Sequence, residues 1–328
     1  MTSAAPEVTV VMANYNGAAH IAAAIRSVLR QTLSDLELIV VDDASTDASV
    51  ALAEQALAGD PRARLLRQDR NGGPGAARNR ALDQARGRWV AIFDSDDLME
   101  PHRLRRLVDA ARADGAEVVA DNLLVFSDLD VAGSRPLLQP RDFPAPCWIG
   151  LKELAAASRM YARGPDLGYL KPMVARQLLA RTGARYQEQL RIGEDYDFLA
   201  RLVASGAPLR VYPEPLYRYR KHASSISHRL APEHLRQMLA AHAAFVAEVE
   251  PLPPAEKAAL DRRRRSLERA LVYDEIIEGI KTGQARRSLA AGLANPAVWP
   301  LLTMPVAARL KRIAAAARPP QGERSAAA

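Results

Sequence analysis

The stretch RWVAIFDSDD, residues 88–97, sets an unbroken apolar run, Trp89 to Phe93, directly against three aspartates in four positions. A short apolar run rich in branched and aromatic side chains reads as a strand buried on both faces. Carboxylates crowded at one strand end repel one another and raise each other's pKa unless something positive lies among them. A divalent cation would resolve that repulsion, and hard oxygen ligands fit Mg²⁺ or Mn²⁺, held by one or two carboxylates, water and substrate phosphates. The bland alternative is a solvated turn capping a helix near residue 101.

Outward from this strand the chain alternates apolar runs with helical patterns. VTVVMA (8–13), LELIVVDD (36–43), ARLLRQ (63–68) and RWVAIFD (88–94) are separated by helical stretches near 18–31, 47–58 and 74–85. A helix at 101–114 and the strand AEVVADN (116–122) follow. Such alternation requires crossover connections and predicts an α/β domain with a mostly parallel sheet and helices on both faces. After 122 the sequence becomes Pro- and Gly-punctuated, and three or four helical segments follow, at roughly 232–249, 254–281, 284–293 and 303–317. The expected organisation is 1–122, 123–230, a helical extension over 231–317 and a disordered tail over 318–328.

Ligands of open parallel sheets bind beyond the carboxyl ends of the strands. The four strands lead into ANYNG (13–17), DDASTD (42–47), NGGPGAARN (71–79) and DSDD (94–97), so all four polar clusters fall on one rim. The glycine-rich turn before a helix offers backbone N–H groups and Arg78 to a phosphate, or is simply a loop. Asp43 could accept a hydrogen bond from a base or ribose, whereas Asp47 reads as a helix cap.

The formal charge of +7 invites a nucleic-acid reading, but its location decides otherwise. Residues 251–328 hold 14 Lys+Arg against 7 Asp+Glu, which accounts for the whole surplus. Aromatic content is 5% and no base-stacking motif is evident, so no nucleic-acid partner is expected. The single cysteine, Cys147, excludes an internal disulfide and a Cys-based zinc site and reads as packing. No run of eighteen uncharged apolar residues and no signal-peptide pattern occurs, so a cytoplasmic location is the expectation.

VTVVMANYNG, LELIVVDDASTD, NGGPGAARNRALDQARGRWVAIFDSDD and RIGEDYDFLARL (191–202), in this order, resemble glycosyltransferase family 2, whose members have the GT-A fold. The resemblance implies a metal-dependent inverting transferase using a nucleotide-activated sugar. It places Ala13 and Tyr15 beside a uridine, Asp43 on the uracil and Arg78 near the diphosphate. The family's Asp-x-Asp motif falls on Asp94, facing sugar or ribose, and Asp96, ligating Mn²⁺ or Mg²⁺; Asp97 has no assigned role. GEDYDF supplies the catalytic base, Asp195, with Glu194 as its acceptor-binding neighbour. YRYRKHASSIS (217–227) offers Arg220 or Lys221 to the diphosphate and His222 as a further metal ligand.

DNLLV (121–125), GYLKPM (168–173) and the C-terminus look similar to succinoglycan-type exopolysaccharide glucosyltransferases. That implies UDP-glucose as donor and a lipid-linked oligosaccharide as acceptor, with Asn122, Tyr169 and Lys171 as candidates for the acceptor cleft or for packing. WPLLTMPVAARLKRI (299–313) carries an apolar face beside Arg309, Lys311 and Arg312, which suits either an anionic membrane surface or packing on the domain. Three rival functions stand beside this reading: another nucleotide-sugar transferase of surface polysaccharide assembly, a sugar nucleotidylyltransferase, and a noncatalytic nucleotide-sugar binder. The second lacks its N-terminal glycine-rich signature, and retention of both DSDD and GED opposes the third.

Overall fold

The structure is a computed structural model that describes residues 5–222 and 230–303. Strands β1 (Val8–Asn14), β2 (Leu36–Asp42), β3 (Ala63–Arg67) and β4 (Trp89–Asp94) alternate with helices α1 (Ile21–Leu29), α2 (Ser49–Leu57) and α3 (Pro74–Gln84). They pair in parallel in the order β3-β2-β1-β4. Val10, Val11, Ile39, Val40, Ile92 and Phe93 are wholly buried, so successive residues on each central strand face covered surfaces. The apolar run before DSDD is therefore a central strand that ends at the carboxyl-end rim of the parallel half-sheet.

Past β4 the chain forms β5 (Leu98–Met99), α4 (Arg103–Asp114), β6 (Val118–Ser127), β7 (Asp130–Pro136), β8 (Cys147–Ile149) and α5 (Leu151–Ala157). Then come β9 (Met173–Ala175), α6 (Arg176–Thr182), α7 (Glu194–Ala204) and β10 (Leu209–Arg220). The ten strands of the described residues share one sheet, β3-β2-β1-β4-β9-β6-β10-β5, with β7 added to β6 and β8 to β10. β9 runs antiparallel to both β4 and β6, so parallel order holds across the first four strands and returns at β6–β10. Three residues carry too little periodicity to be read as a strand, which hid β9 in the sequence. The division expected at residue 122 falls inside β6, so the two halves of the domain share one sheet.

Within β10 the segment YPEPLY interrupts its ladder with β6, and the register shifts between Tyr212 and Tyr217. Pro213 and Pro215 have no N–H to donate. Asn122 fills the gap: its Nδ2 donates to the carbonyls of Leu138 and Pro213 at 2.8 and 3.1 Å, and its Oδ1 accepts from the N–H groups of Leu123 and Leu138. The acceptor-cleft candidacy of Asn122 is thereby corrected, because the buried amide is spent on the backbone.

The C-terminal helices are α8 (Pro232–Val249), α9 (Pro254–Lys281) and α10 (Ala285–Ala294). α9 packs on α5 and α8, and α8 packs on α7. Leu190, Leu235, Met238, Ala241, Leu267 and Ala270 form a small separate core there. Beside it Arg263, buried on α9, lies 3.5 Å from the ring centroid of Tyr196 on α7 and approaches His242 Nδ1 at 3.4 Å. No helix among the described residues is long and apolar enough to cross a membrane. The helix expected at 303–317, the tail at 318–328 and residues 223–227 of the Tyr-Arg-His-Ser stretch lie outside the described residues, apart from Thr303.

Burial first, and then the Arg263 charge, hold the His242 imidazole down at about 4 from an ordinary 6.5. The unfolded chain therefore takes up a proton before the folded one does, so this contribution is complete above about pH 6.5 and is lost as pH falls towards 4. The loss amounts to roughly 3 kcal/mol across that window. Urea unfolding of the wild type should weaken over it, whereas His242→Gln, which has no proton to take up, should show a flatter profile. Parallel pH profiles would show that His242 is not buried neutral.

Candidate active site

The first part of the rim is built by backbone. Asp42, at the end of β2, accepts from Asn14 Nδ2 and from the N–H and hydroxyl of Ser45. Asp43 Oδ1 and Oδ2 accept from the N–H groups of Gly72 and Gly73, each at 2.7 Å, and Gln68 donates to Oδ1. Gly73 has φ +91°, a backbone conformation that side chains with a Cβ rarely adopt, so this turn favours glycine. Pro74 then opens α3, which carries Arg78 inward. Asp47 accepts from the N–H groups of Ser49 and Ala18, which places it at the start of α2 and in contact with the loop after β1.

The second part is an ion cluster that joins DSDD to GED. Arg78, buried on α3, donates from Nη2 to Asp94 Oδ1 at 2.7 Å and from Nη1 to Glu194 Oε1 at 2.8 Å, with Asp195 Oδ1 at 3.3 Å from the same nitrogen. Lys171 Nζ lies 2.7 Å from Asp94 Oδ2 and also bonds Asp195 Oδ2. Two buried cations thus tie the end of β4 to the first turn of α7. Gly193, in the left-handed region at φ +85°, starts that helix and turns Glu194 and Asp195 toward the sheet. Acidic side chains suit a helix N-terminus, but here they also reach across the rim. Tyr186 faces Arg78, 5.1 Å from ring centroid to guanidinium, and stacks on Phe198 from its other side.

Electrostatics follow from these partners. Burial works to raise the Asp94 carboxyl, yet Lys171 and Arg78 hold it well below the usual range. Burial, with the Asp195 charge beside it, raises Glu194 against the opposing pull of Arg78. Lys171 is fully buried, which alone would lower it, but Asp195 and Asp94 hold it well above its ordinary value.

The other two aspartates have different fates. Asp97 is buried and accepts from Tyr217 Oη and the Arg220 N–H, each at 2.7 Å. Burial, with Asp96 and Asp94 nearby, pushes it well above the usual carboxylate range. Asp96 is about a third exposed, and its Oδ2 lies 2.9 Å from His222 Nε2. One ligand atom each from Asp94, Asp96 and Asp97 falls within 4.8 Å of the others. Asp94 already accepts from Arg78 and Lys171 and Asp97 from Tyr217 and Arg220, so Asp96, with His222 beside it, is the carboxylate of the three that could hold a divalent cation.

Of the residues singled out in the sequence, Arg78, Asp94, Asp96, Glu194, Asp195, Lys171, Arg220 and His222 come together on one rim. Asp43 sits at the end of β2 on the glycine turn, with both oxygens already accepting from it. Ala13 is half-buried at the end of β1, Tyr15 is exposed, and Tyr169 is exposed with its ring edge-on to Tyr219. Arg220 donates from Nε to the Asp96 carbonyl at 2.7 Å and pairs with Asp128, so it shapes the aspartate turn from behind. Lys221 is exposed, and its N–H donates to the Phe126 carbonyl at 2.8 Å.

Sequence reasoning missed the supports. Arg103, with no exposed surface, forks onto Asp121, donates to the Lys171 carbonyl at 2.8 Å and lies 4.9 Å from the Tyr217 ring centroid. Tyr217 in turn accepts from the Asp94 N–H and donates to Asp97. A charged residue inside the helical pattern at 101–114 and an aspartate inside a strand were the available signals.

A parallel half-sheet carrying Asp-x-Asp at its rim, bridged to an acidic helix start, is the arrangement of a glycosyltransferase of GT-A fold. The chain belongs to glycosyltransferase family 2, whose description, "Glycosyl transferase family 2", matches residues 9–153. It is 40% identical over 94% of its length to the succinoglycan biosynthesis protein ExoO of Rhizobium meliloti (strain 1021), covering 88% of that protein. Its fold resembles that of S. aureus TarS 1–349 solved with UDP-GlcNAc, at TM-score 0.64 and 19% identity over 77% of this chain and 70% of that one. It also resembles the mannosyltransferase PcManGT from Pyrobaculum calidifontis solved with GDP-Man and Mn²⁺, at TM-score 0.57 and 22% identity over 95% and 80%.

Lys171→Met keeps the apolar stem and removes the charge between two carboxylates. The expected cost is roughly 3 kcal/mol of stability, since one partner of a buried pair is lost. A loss below about 1 kcal/mol in urea unfolding, the size of an exposed pair, would show that the bridge does not form in solution.

Proposed function

We propose that the chain is an inverting glycosyltransferase that moves glucose from UDP-glucose onto a lipid-linked oligosaccharide in exopolysaccharide assembly. The observation that carries this reading is the joining of Asp94 to Asp195 through Arg78 and Lys171, which puts the donor motif and the candidate base on one rim. The name of the relative in succinoglycan biosynthesis supports the pathway class, and the sugar nucleotides in the neighbouring structures support the donor class.

In this mechanism Asp195 accepts the proton of the acceptor hydroxyl as its oxygen attacks C1 from the face opposite the diphosphate. The C1–O bond to the diphosphate breaks with inversion, and the nucleoside diphosphate departs. Lys171 and Arg78 keep Asp94 ionised and aimed at the sugar. Glu194 is the neighbour of the base that binds the acceptor. Ala13, Tyr15 and the Asp43 turn flank the nucleotide, and Arg78 approaches its phosphates. A divalent cation, Mn²⁺ or Mg²⁺, bound by Asp96 and His222 would neutralise charge on the leaving diphosphate. Tyr169, exposed next to Lys171, faces the acceptor side. The protein works at the inner face of the cytoplasmic membrane, with its basic C-terminal region against anionic lipid.

Two substitutions separate binding from chemistry. Asp195→Asn should retain UDP-glucose affinity in calorimetry and lose transfer by roughly 10²–10⁴-fold, the usual contribution of a general base. Wild-type transfer by this variant would remove Asp195 as the base. Asp96→Ala should abolish the enhancement of UDP binding by Mn²⁺, and an unchanged enhancement would place the cation elsewhere.

A further inference from the structure

A second concentration of charge lies away from the catalytic rim, in the C-terminal extension. A cavity of about 450 Å³ opens between α9, the end of α5 and the turn at Pro296–Val298. Arg262, Arg265 and Arg269 line it from α9, Arg159 enters from beyond α5, and Val298 closes one side. The spacing i, i+3, i+7 puts the three α9 arginines on one helix face. The carboxylate in the lining, Glu268, is engaged by Arg264 at 2.6 Å. Among the described residues Arg262, Arg265 and Arg269 form no ion pair, and Arg159 donates from Nε to the Ala156 carbonyl.

A row of arginines on a flat helix face is ordinarily just solvated. Here they converge with a fourth from another element around a concave space, and like charges so placed repel until an anion sits among them. Planar guanidinium forks match phosphate oxygens in pairs. The chain beyond Thr303 carries five basic residues and one acidic, so its composition offers no surplus of carboxylates to pair with these arginines.

The neighbouring surface is apolar. Leu289 and Leu293, one turn apart on α10, are 65% and 63% exposed, and Trp299, directly after Val298, is 52% exposed. Trp299 donates from Nε1 to the Gly292 carbonyl at 2.8 Å, which fixes its ring against α10. A basic cavity bordered by exposed Leu and Trp matches a molecule with a charged phosphate end and a hydrocarbon body.

We propose that this cavity binds the phosphate or diphosphate end of an anionic amphiphile, with the outer face of α10 against its hydrocarbon. That the amphiphile is the carrier of the acceptor rests on the transferase reading above, whereas the binding site itself does not. The segment from Arg159 to Lys171 joins this cavity to the catalytic cluster, so a headgroup held here would lie on the acceptor side of the domain.

The test is co-sedimentation of the full chain with phosphatidylcholine vesicles containing phosphatidate, a phosphate monoester, beside calorimetry with inorganic pyrophosphate. R262Q/R265Q/R269Q should weaken vesicle association roughly a hundredfold, since each basic residue at an anionic surface contributes about a factor of five. The same variant should keep the wild-type urea-unfolding midpoint, which shows that it is folded and keeps this result independent of the transferase reading. R309Q/K311Q/R312Q, with the same loss of charge, should weaken association less. Unchanged association of the first variant, or equal loss in the two, would overturn the site. Pyrophosphate binding as tightly as the vesicles would make it a site for a free anion and overturn the amphiphile.

Discussion

The double bridge from Arg78 and Lys171 to Asp94 and Asp195 is the interaction on which the rim depends. β4 and α7 are far apart in sequence, and each ends or begins with acids that would repel the other at close range. Two buried cations turn that repulsion into attachment. Because both are nearly inaccessible to water, their charges are only weakly screened, and each must be held by its own support. Tyr186 backs Arg78, and the Arg103–Asp121 pair holds the Lys171 carbonyl. The chemistry of the site thus reaches down into pairs that touch no ligand.

The same arrangement explains why three aspartates in four positions can coexist. Asp94 is neutralised by cations from above the sheet edge. Asp97 turns inward to Tyr217 and the Arg220 N–H, where burial favours its protonated form. Asp96 remains toward solvent beside His222. One sequence cluster therefore yields a paired carboxylate, a buried structural acid and a candidate metal ligand, and environment alone separates them.

This division also marks the limit of what could be read from the chain. Apolar runs and their polar ends located β1 to β4 and the rim, because period and composition are local properties. The motif match located Asp94, Asp96, Glu194 and Asp195. Lys171 was visible only as a candidate contact, since its two partners lie at opposite ends of a distance in sequence that no local pattern spans. β9 was hidden by its length, and Asn122 looked like a cleft residue because its use, repairing a ladder broken by Pro213 and Pro215, arises only when β6 and β10 pair. Asp97 had no assigned role for the same reason: Tyr217, its partner, arrives 120 residues later.

The C-terminal helices complete this logic around α7. α7 presents Asp195 from its first turn, so whatever holds α7 also holds the candidate base. α8 packs on it directly, and Arg263 from α9 lies on Tyr196, the residue after Asp195. Ser266, also on α9, accepts from the Met160 N–H and so fixes the segment that leads to Lys171. A helical extension that anchors both the candidate base and its cationic partner is part of the frame of the candidate site. A ligand engaging the outward face of α9 would therefore press on the same helix whose inward face, through Arg263 and Tyr196, supports the helix of the candidate base.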